Sequence, residues 1–396
     1  MSQPQHGAAG VTQFVTSRAE EPEGSPVSAA PAVPATPPAE KGSAFVKPVT
    51  PKEEQPARPI PTMGFPAFWY RTLRVFNENV TPPNLSKKEV AAIAEQRALD
   101  ERNTRAQMSY DESRHLTDLC PHLVVVFVGV KGSAATTTTM VHTASILADD
   151  TRTLVYGADF NPASGTAGAR LGKEFGETVS IQEFSAIVDS VKGDRKLVNA
   201  RLRPTRYGVR VLSADDYTKI PDAQYGTTTA KMVEVLDSNC DYLMLDTPND
   251  ITTAAARAVL AAADIIVFTA NVRERDSLRL LRVSMDTVRE LGHRQKVHDS
   301  VVVVSNTPEG ATLDDYTKYL GVTNLHHEVT RGLEPGEFNG QLLVVPHDPA
   351  IARNVEVDLG AYHWSTIQAY RDINIAVFEQ ALKAKQRKTL TALGRS

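Results

Sequence analysis

Residues 124–139 read VVVFVGVKGSAATTTT. The stretch begins with large apolar residues, passes through a turn that contains Gly129 and Gly132, and ends in four consecutive threonines. A short apolar run bounded by glycine predicts a buried strand, and the polar run after the turn predicts the start of a helix. A strand, a glycine-containing turn and a helix in this order are typical of loops that bind phosphate through backbone N–H groups.

The chain from Pro121 onward repeats this alternation of short Val/Ile/Leu segments with helical patterns. Such alternation predicts an α/β fold, with a mostly parallel sheet wrapped by helices. Charged or polar residues follow four of the predicted strands, namely Lys131, Asp159, Asp246 and Asn306. Because ligands bind at the carboxyl ends of parallel strands, we expect these four residues to converge on one site.

The turn departs from the phosphate-loop pattern G-x-x-x-x-G-K-[ST]. In that pattern the lysine reaches the β- and γ-phosphates, and the final hydroxyl binds Mg²⁺. In the best register the two glycines fall on Val130 and Ala135, the lysine on Thr136 and the hydroxyl residue on Thr137. Only Thr137 fits, and a threonine-rich helix start after a buried strand is the structural alternative.

Lys131 and Gly132 add a more specific resemblance. They match the opening of the KGGxGK[ST] loop of the ParA/MinD ATPases, whose first lysine reaches across a dimer to the partner's nucleotide. The resemblance implies a P-loop nucleotide site for ATP and Mg²⁺, with Lys131 also acting in catalysis. The implied nucleotide-binding loop residues are Lys131, Gly132, Ser133, Ala134, Ala135, Thr136, Thr137 and Thr138.

The resemblance continues along the chain in the same order. Residues 157–162 (GADFNP) keep the second acid of the family's Asp-x-Asp, which implies that Asp159 orients the attacking water. A strand-end aspartate that caps the next helix is the alternative. Residues 241–248 (DYLMLDTP) resemble the family's switch II strand, which implies that Asp246 and Thr137 bind Mg²⁺.

The later strands extend the match to residues 121–382, about two-thirds of the chain. Residues 300–306 (SVVVVSN) and 342–352 (LLVVPHDPAIA) resemble the family's base-binding segments, which implies nucleotide contacts for Asn306, Pro346 and Asp348. An asparagine at a strand end also fits turn chemistry. Within the superfamily, the leader and charged helix resemble those of the actinobacterial EspI-type ATPases of type VII secretion.

The loop sequence predicts slow ATP hydrolysis. Thr136 offers no charge to the phosphates, and losing one such donor typically costs about 10²–10³ in rate. Ala135 adds a Cβ where glycine lets the backbone approach a phosphate. We therefore expect a nucleotide-binding protein with impaired or absent ATP hydrolysis that acts as a dimerising regulator or localisation factor in secretion, conjugation or partitioning. The expected dimer partner is a second copy or a related ATPase whose site Lys131 completes.

Two other functions stay open. In a functioning ATPase switch, Lys131 would replace the missing lysine. In a partition protein, the basic stretches 192–210 and 273–296 would bind DNA non-specifically, although salt bridges within helices explain the second stretch better. A nicotinamide-binding fold is disfavoured because no G-x-G-x-x-G follows the first strand.

The composition of the chain limits its domain organisation and the classes of function open to it. The chain has 396 residues, a formal net charge of −4 and two distant cysteines, Cys120 and Cys240, which predict one large α/β domain with extensions and no global nucleic-acid signature. The predicted divisions are a disordered Pro/Ala-rich tail (1–62), a helical extension (63–118), the P-loop domain (119–385) and a basic tail (386–396).

The N-terminal region is also the predicted attachment point for a protein partner. Its aromatic segment 65–76 (FPAFWYRTLRVF) would dock on a partner or membrane surface, or else pack on its own domain. No apolar run reaches the ~18 residues of a transmembrane segment, and the start of the sequence lacks a signal-peptide pattern. We expect a cytoplasmic protein, with a peripheral position at the inner face of the plasma membrane left open.

Overall fold

The computed structural model describes residues 86–129, 135–161, 165–171, 179–214, 221–273, 276–307, 325–330, 333, 336–353 and 356–392. The predicted tail (1–62), the aromatic segment (65–76) and the centre of the phosphate-type loop lie outside these residues. The loop residues concerned include Lys131, Gly132, Ser133 and Ala134.

A single parallel sheet organises the described chain. Its strand order is β3-β4-β2-β5-β1-β6-β7-β8, and every pairing between these strands is parallel. The predicted α/β fold with a parallel sheet wrapped by helices is confirmed. The strands are β1 Leu123–Val128, β2 Val155–Asp159, β3 Val179–Ser180, β4 Arg210–Ser213, β5 Tyr242–Asp246, β6 Ile265–Asn271, β7 Val301–Thr307 and β8 Gln341–Pro346.

Helices separate successive strands, as parallel connections require. Among the described residues they are α1 Lys87–Leu119, α2 Thr136–Thr151, α3 Ala167–Leu171, α4 Ile181–Val191, α5 Arg195–Arg201, α6 Asp222–Asp237, α7 Ala254–Ala262, α8 Ser277–Glu290, α9 Arg294–His298, α10 Leu325–Thr330, α11 Pro349–Arg353 and α12 Trp364–Ala392, with a 3₁₀ turn at Leu359–Ala361. No helix in this described set is long and apolar enough to cross a membrane.

Each face of the sheet carries its own apolar core. Side chains alternate along β1, so Val124 and Val126 lie in one core while Val125 and Phe127 lie in the other. Helices α4, α6, α7 and α8 contribute to the first core, and α1, α2 and α12 contribute to the second. Because β1 is buried on both faces, it is an uninterrupted apolar run.

The first and last helices pack side by side. At the start of α1, the Ser86 side chain accepts a hydrogen bond from the Glu89 N–H, and the Glu89 carboxylate accepts one from the Ser86 N–H, forming the predicted capping box. Further along, Gln368 donates to Ser109 at 2.6 Å, and Lys385 Nζ lies 3.4 Å from Cys120 Sγ. Contacts therefore progress in the same direction along both helices, which run parallel.

Helix α12 also holds α2 in place. Arg371 donates two hydrogen bonds to the Asp150 carboxylate, at 2.6 and 2.8 Å, and the Asp150 side chain is only 5% exposed. Asn374 donates to the backbone oxygen of Thr143 at 3.2 Å. Helix α12 continues to Ala392, past residue 386, where the basic tail was predicted to begin. The helix that follows the phosphate-type loop is thus fixed along its length by the last helix.

Candidate functional site

Three adjacent strands, β2, β5 and β1, end at the same edge of the sheet. Strand β5 lies between β2 and β1, so Asp159 at the end of β2 is in register with Asp246 at the end of β5, and Phe127 of β1 is in register with Asp246. Thr247 Oγ1 donates to Phe127 O at 3.0 Å and fixes the chain just beyond β5. The structure thus brings Asp159 and Asp246 together below the start of α2.

The first threonines of α2 bind two of these strands. Thr137 Oγ1 donates a hydrogen bond to Asp246 Oδ2. Thr136 Oγ1 lies 2.9 Å from Thr269 Oγ1, whose own hydroxyl donates to Val128 O at 3.3 Å. Since the Thr269 proton is directed to that carbonyl, Thr136 is the donor to Thr269. Thr136, which the sequence comparison aligns with the lysine of the phosphate-loop pattern, is therefore a neutral hydroxyl bonded to β6.

The entrance to α2 has an unusual backbone. Ala135 has φ 62°, in the left-handed region that a side chain with a Cβ occupies at a cost of about 1–2 kcal/mol. Its carbonyl accepts hydrogen bonds from the Thr139 N–H at 2.8 Å and the Thr139 hydroxyl at 2.9 Å. The helix has no side-chain N-cap hydrogen bond at Ala135. Thus Ala135 occupies a conformation suited to glycine, the residue that the pattern has there.

The two carboxyl groups are unequal. Both are buried, with Asp159 fully buried and Asp246 2% exposed. Burial raises the pKa of Asp159, while N–H groups donated by Asn161 and Ala167, at 3.0 and 3.2 Å, favour its ionised form. Burial and then the Asp159 charge raise the pKa of Asp246 well above its ordinary value, opposed by the Thr137 hydrogen bond and by Arg170. The pKa of Asp246 is therefore raised further than that of Asp159.

The donor set fits Mg²⁺. This cation prefers hard oxygen ligands, keeps several waters, and in nucleotide sites takes one or two carboxylates together with substrate phosphates. Asp246, Asp159 and the Thr137 hydroxyl offer such oxygens, and a divalent cation would relieve the repulsion between the two carboxylates. Within the described residues, no cluster of three or more His, Cys, Asp or Glu side chains could hold a metal by itself. The arrangement therefore suits a cation that arrives with a phosphate ligand.

The predicted base-binding residues lie at the ends of β7 and β8. Asn306 has φ 64° at an irregularity between these strands, and its Oδ1 lies 3.3 Å from His347 Nδ1. Pro346 ends β8. The Asp348 carboxylate accepts N–H groups from Ala350 and His363, both at 2.8 Å, and so stabilises the turn that leads to α12. The Asp348 side chain therefore stabilises the conformation of this segment by accepting hydrogen bonds from its backbone.

A buried cluster that the sequence analysis missed joins this segment to α2. His142 lies one turn beyond Thr138, with Nδ1 2.6 Å from Thr138 O and Nε2 2.9 Å from Tyr362 Oη. Its ring stacks on Tyr370, with ring centroids 5.1 Å apart. Burial lowers the pKa of His142 to about 4, so its neutral ring donates to Thr138 O and accepts from Tyr362. A lone histidine inside a helix gives no sequence signal for such a connection.

Many charges of the two basic stretches are paired with acids. In the first stretch Lys192 contacts Glu234 at 2.7 Å, and Arg195 contacts Asp241 at 3.3 Å. In the second, Arg289 donates to Glu337 at 2.7 Å, with only 19% of the arginine side chain exposed. These three pairs join separate elements, whereas the pairing expected within the second stretch is that of Arg279 with Asp276 at 3.8 Å and of Arg289 with Asp286 at 3.1 Å.

Solved structures similar to this chain include nucleotide-dependent enzymes. A ParA family ATPase from Chlorobium tepidum TLS is 14% identical, with a TM-score of 0.48, and the match covers 64% of this chain and 98% of that chain. Cobyrinic acid a,c-diamide synthase from Mycobacterium smegmatis, with bound ADP and magnesium, is 15% identical, with a TM-score of 0.45 over 64% of this chain and 92% of that chain.

The MinC:MinD cell division protein complex from Aquifex aeolicus is also similar, with 15% identity and a TM-score of 0.41 over 67% of this chain and 96% of that chain. No family model matches the chain, and no curated protein matches it significantly.

Proposed function

We propose that the protein is a ParA/MinD-like nucleotide-binding protein in which ATP hydrolysis is impaired, and that it acts as a dimerising regulator or localisation factor. The observation that carries the proposal is the pair of hydroxyls at the start of α2. Thr137 contacts the buried carboxyl of Asp246, as a magnesium-binding hydroxyl should, whereas Thr136 stands in the lysine position and donates its proton to Thr269. Cation-binding groups are kept while the phosphate-binding charge is absent.

The chain's own groups have separable roles in this proposal. Thr137 and Asp246 would hold Mg²⁺, which supplies charge neutralisation for the β- and γ-phosphates when it is bound. Asp159, which accepts hydrogen bonds from two backbone N–H groups, would orient a water near the phosphates. Asn306 and Pro346 would contact the base. With Thr136 neutral, negative charge that develops on the phosphates has one fewer stabilising partner, so hydrolysis is slow while binding survives.

Lys131 sets the second part of the proposal. It would act in trans and contact the nucleotide of a second copy or of a related ATPase, so that this chain completes a site that it lacks itself. The machinery served would be one of secretion, conjugation or partitioning, and the likeness to EspI-type ATPases favours type VII secretion. A functioning ATPase, with Lys131 in the role of the missing lysine, is the competing function that the test must separate.

Calorimetry with Mg²⁺ and ATP tests the proposal on the wild type, Lys131→Ala and Thr136→Lys. We expect binding by the wild type with ATP turnover at least about 100-fold below that of Thr136→Lys, because the restored lysine supplies one preorganised charge. Thr227→Lys is the matched control, since it adds the same charge on the exposed side of α6, away from the proposed site.

Three results would contradict the proposal. Normal turnover by the wild type, with little gain in Thr136→Lys, would identify a functioning ATPase. The absence of ATP binding in all variants would remove the nucleotide function. Salt-sensitive DNA binding that is lost in Arg279→Glu would instead favour the partition protein.

A further inference from the structure

Helix α1 carries an exposed apolar stripe. Six large apolar side chains are exposed among the described residues, and three of them belong to this helix: Val90 at 39%, Met108 at 66% and Leu119 at 51%. Met108 follows Val90 by 18 residues and Leu119 follows Met108 by 11, which are about five and three helical turns. All three side chains therefore project from the same side of α1.

This side is distinct from the side that packs on the domain. The buried residues of α1 are Ser109, Ser113, Leu116 and Thr117, which lie about a quarter to half a turn around the helix from Met108. Val90 also lies three turns before Arg102, whose guanidinium sits over Trp364 at the first residue of α12. The first part of α1 thus extends beyond the start of the helix on which it packs.

Charges fill the same stripe between the apolar residues. Arg97 and Glu101 lie between Val90 and Met108, while Glu112 lies between Met108 and Leu119. Neither Arg97 nor Glu112 forms an ion pair with another described residue. An apolar stripe interrupted by charges of both signs that have no ion-pair partner among the described residues is suited to a helix of matching pattern, since such charges set orientation and register between helices.

Two of the three pairs that the stripe forms on reversal are complementary, while the third places Met108 opposite Glu101. Val90 and Leu119 are equally far from the midpoint between Thr104 and Arg105, and Arg97 and Glu112 are also equally far from it. A two-fold interface places residue i against j and j against i. An antiparallel pair of α1 helices would therefore place Val90 against Leu119 twice and Arg97 against Glu112 twice. A parallel pair would instead place Arg97 against Arg97 and Glu112 against Glu112.

We propose that α1 is a nucleotide-independent dimerisation surface, on which a second copy of this chain packs its own α1 in antiparallel orientation, with two Arg97–Glu112 ion pairs about a two-fold axis near Thr104. This interface is separate from the phosphate-type loop and does not depend on the proposed nucleotide function. Because its ion pairs are at the surface, the dimer weakens as salt increases.

Sedimentation velocity of the full chain, without nucleotide and with a chelator, tests the surface at concentrations up to about 100 μM. Arg97→Glu and Glu112→Arg should each weaken the dimer about tenfold or more, since each places like charges together twice. The dissociation constant of the double variant should be within about threefold of the wild-type value, because the two residues of each ion pair have only exchanged places. Arg114→Glu, with the same charge change elsewhere on α1, should behave as the wild type.

Cysteine cross-linking tests the orientation, since the native Cys120 and Cys240 are both buried. Thr104→Cys should cross-link to itself near the axis, whereas Val90→Cys should not, because two Val90 positions would be about 43 Å apart. A monomeric wild type, a double variant no stronger than the single ones, an equal effect of Arg114→Glu, or cross-linking through Val90→Cys would each overturn the proposal.

Discussion

Replacing Asp246 by asparagine should stabilise the metal-free protein. The wild type buries two carboxyl groups at the ends of neighbouring strands, and burial together with the Asp159 charge raises the pKa of Asp246. Because its folded-state pKa lies above the unfolded value of 3.8, the folded protein binds a proton that the unfolded chain releases. The stability that this proton provides is complete below about pH 4 and declines as the pH rises toward the folded pKa.

The size of the effect follows from the strand spacing. Neighbouring strands lie about 4.8 Å apart, and two unit charges about 5 Å apart repel by about 3 kcal/mol at an effective dielectric constant near 20. Asparagine keeps an oxygen that can accept the Thr137 hydroxyl proton, and it removes both the repulsion and the titration. We expect Asp246→Asn to gain about 3 kcal/mol at pH 7, with the gain increasing by at most about 1.4 kcal/mol per pH unit above pH 4.

Urea denaturation in a chelator, measured from pH 4 to pH 8, provides the comparison. The quantity compared is the difference in unfolding free energy between variant and wild type. His142 gives both proteins a pH dependence of opposite sign, and this contribution cancels in the difference. Asp159→Asn is the matched control and should gain less, since Asp159 accepts two backbone N–H groups while an amide oxygen replaces only one acceptor. A loss of more than about 1 kcal/mol in Asp246→Asn at pH 7, or a gain that does not change with pH, would refute the reasoning.

Three further substitutions test features around the site. Tyr362→Phe leaves the buried Nε2 of His142 without its donor and should cost about 1–2 kcal/mol in urea denaturation, whereas Tyr370→Phe, which keeps the stacking, should cost less. The stability that neutral His142 provides, with its pKa near 4, should be lost as the pH falls from about 6.5 to 4, and His142→Gln should reduce this dependence. Arg371→Ala leaves the Asp150 carboxylate buried and unpaired, so it should cost about 3 kcal/mol, and added Asp150→Asn should recover part of that loss.

The sequence predicted the fold because the fold depends on local patterns. The valine-rich runs of β1 and β7 and the capping box at Ser86 each signal their element within a few residues, and parallel pairing follows from the helices between strands. The proximity of Asp159 and Asp246 follows from the same logic, since adjacent strands end at one edge. Their roles as nucleotide-site residues stay predictions.

Other contacts could not be predicted because they join segments far apart in the chain. The hydroxyl contact between Thr136 and Thr269 depends on β6 lying next to β1, and the contact between His142 and Tyr362 depends on how α12 returns to α2. Neither pair has a spacing that signals contact. The ion pair between Arg289 and Glu337 is similar, because its partners are 48 residues apart. Long-range side-chain pairing is set by tertiary packing, which a single sequence does not display.

The strand order has a consequence for biosynthesis. Strand β1 emerges early, but both of its neighbours, β5 and β6, begin more than 110 residues later, at Tyr242 and Ile265. At about 5–20 residues per second, translation leaves LVVVFV without either partner for on the order of ten seconds. An uncharged six-residue run of high β-propensity with no proline is prone to intermolecular pairing during that interval. The nascent chain should therefore be a chaperone client, and slower translation between residues 129 and 246 should lower the soluble yield.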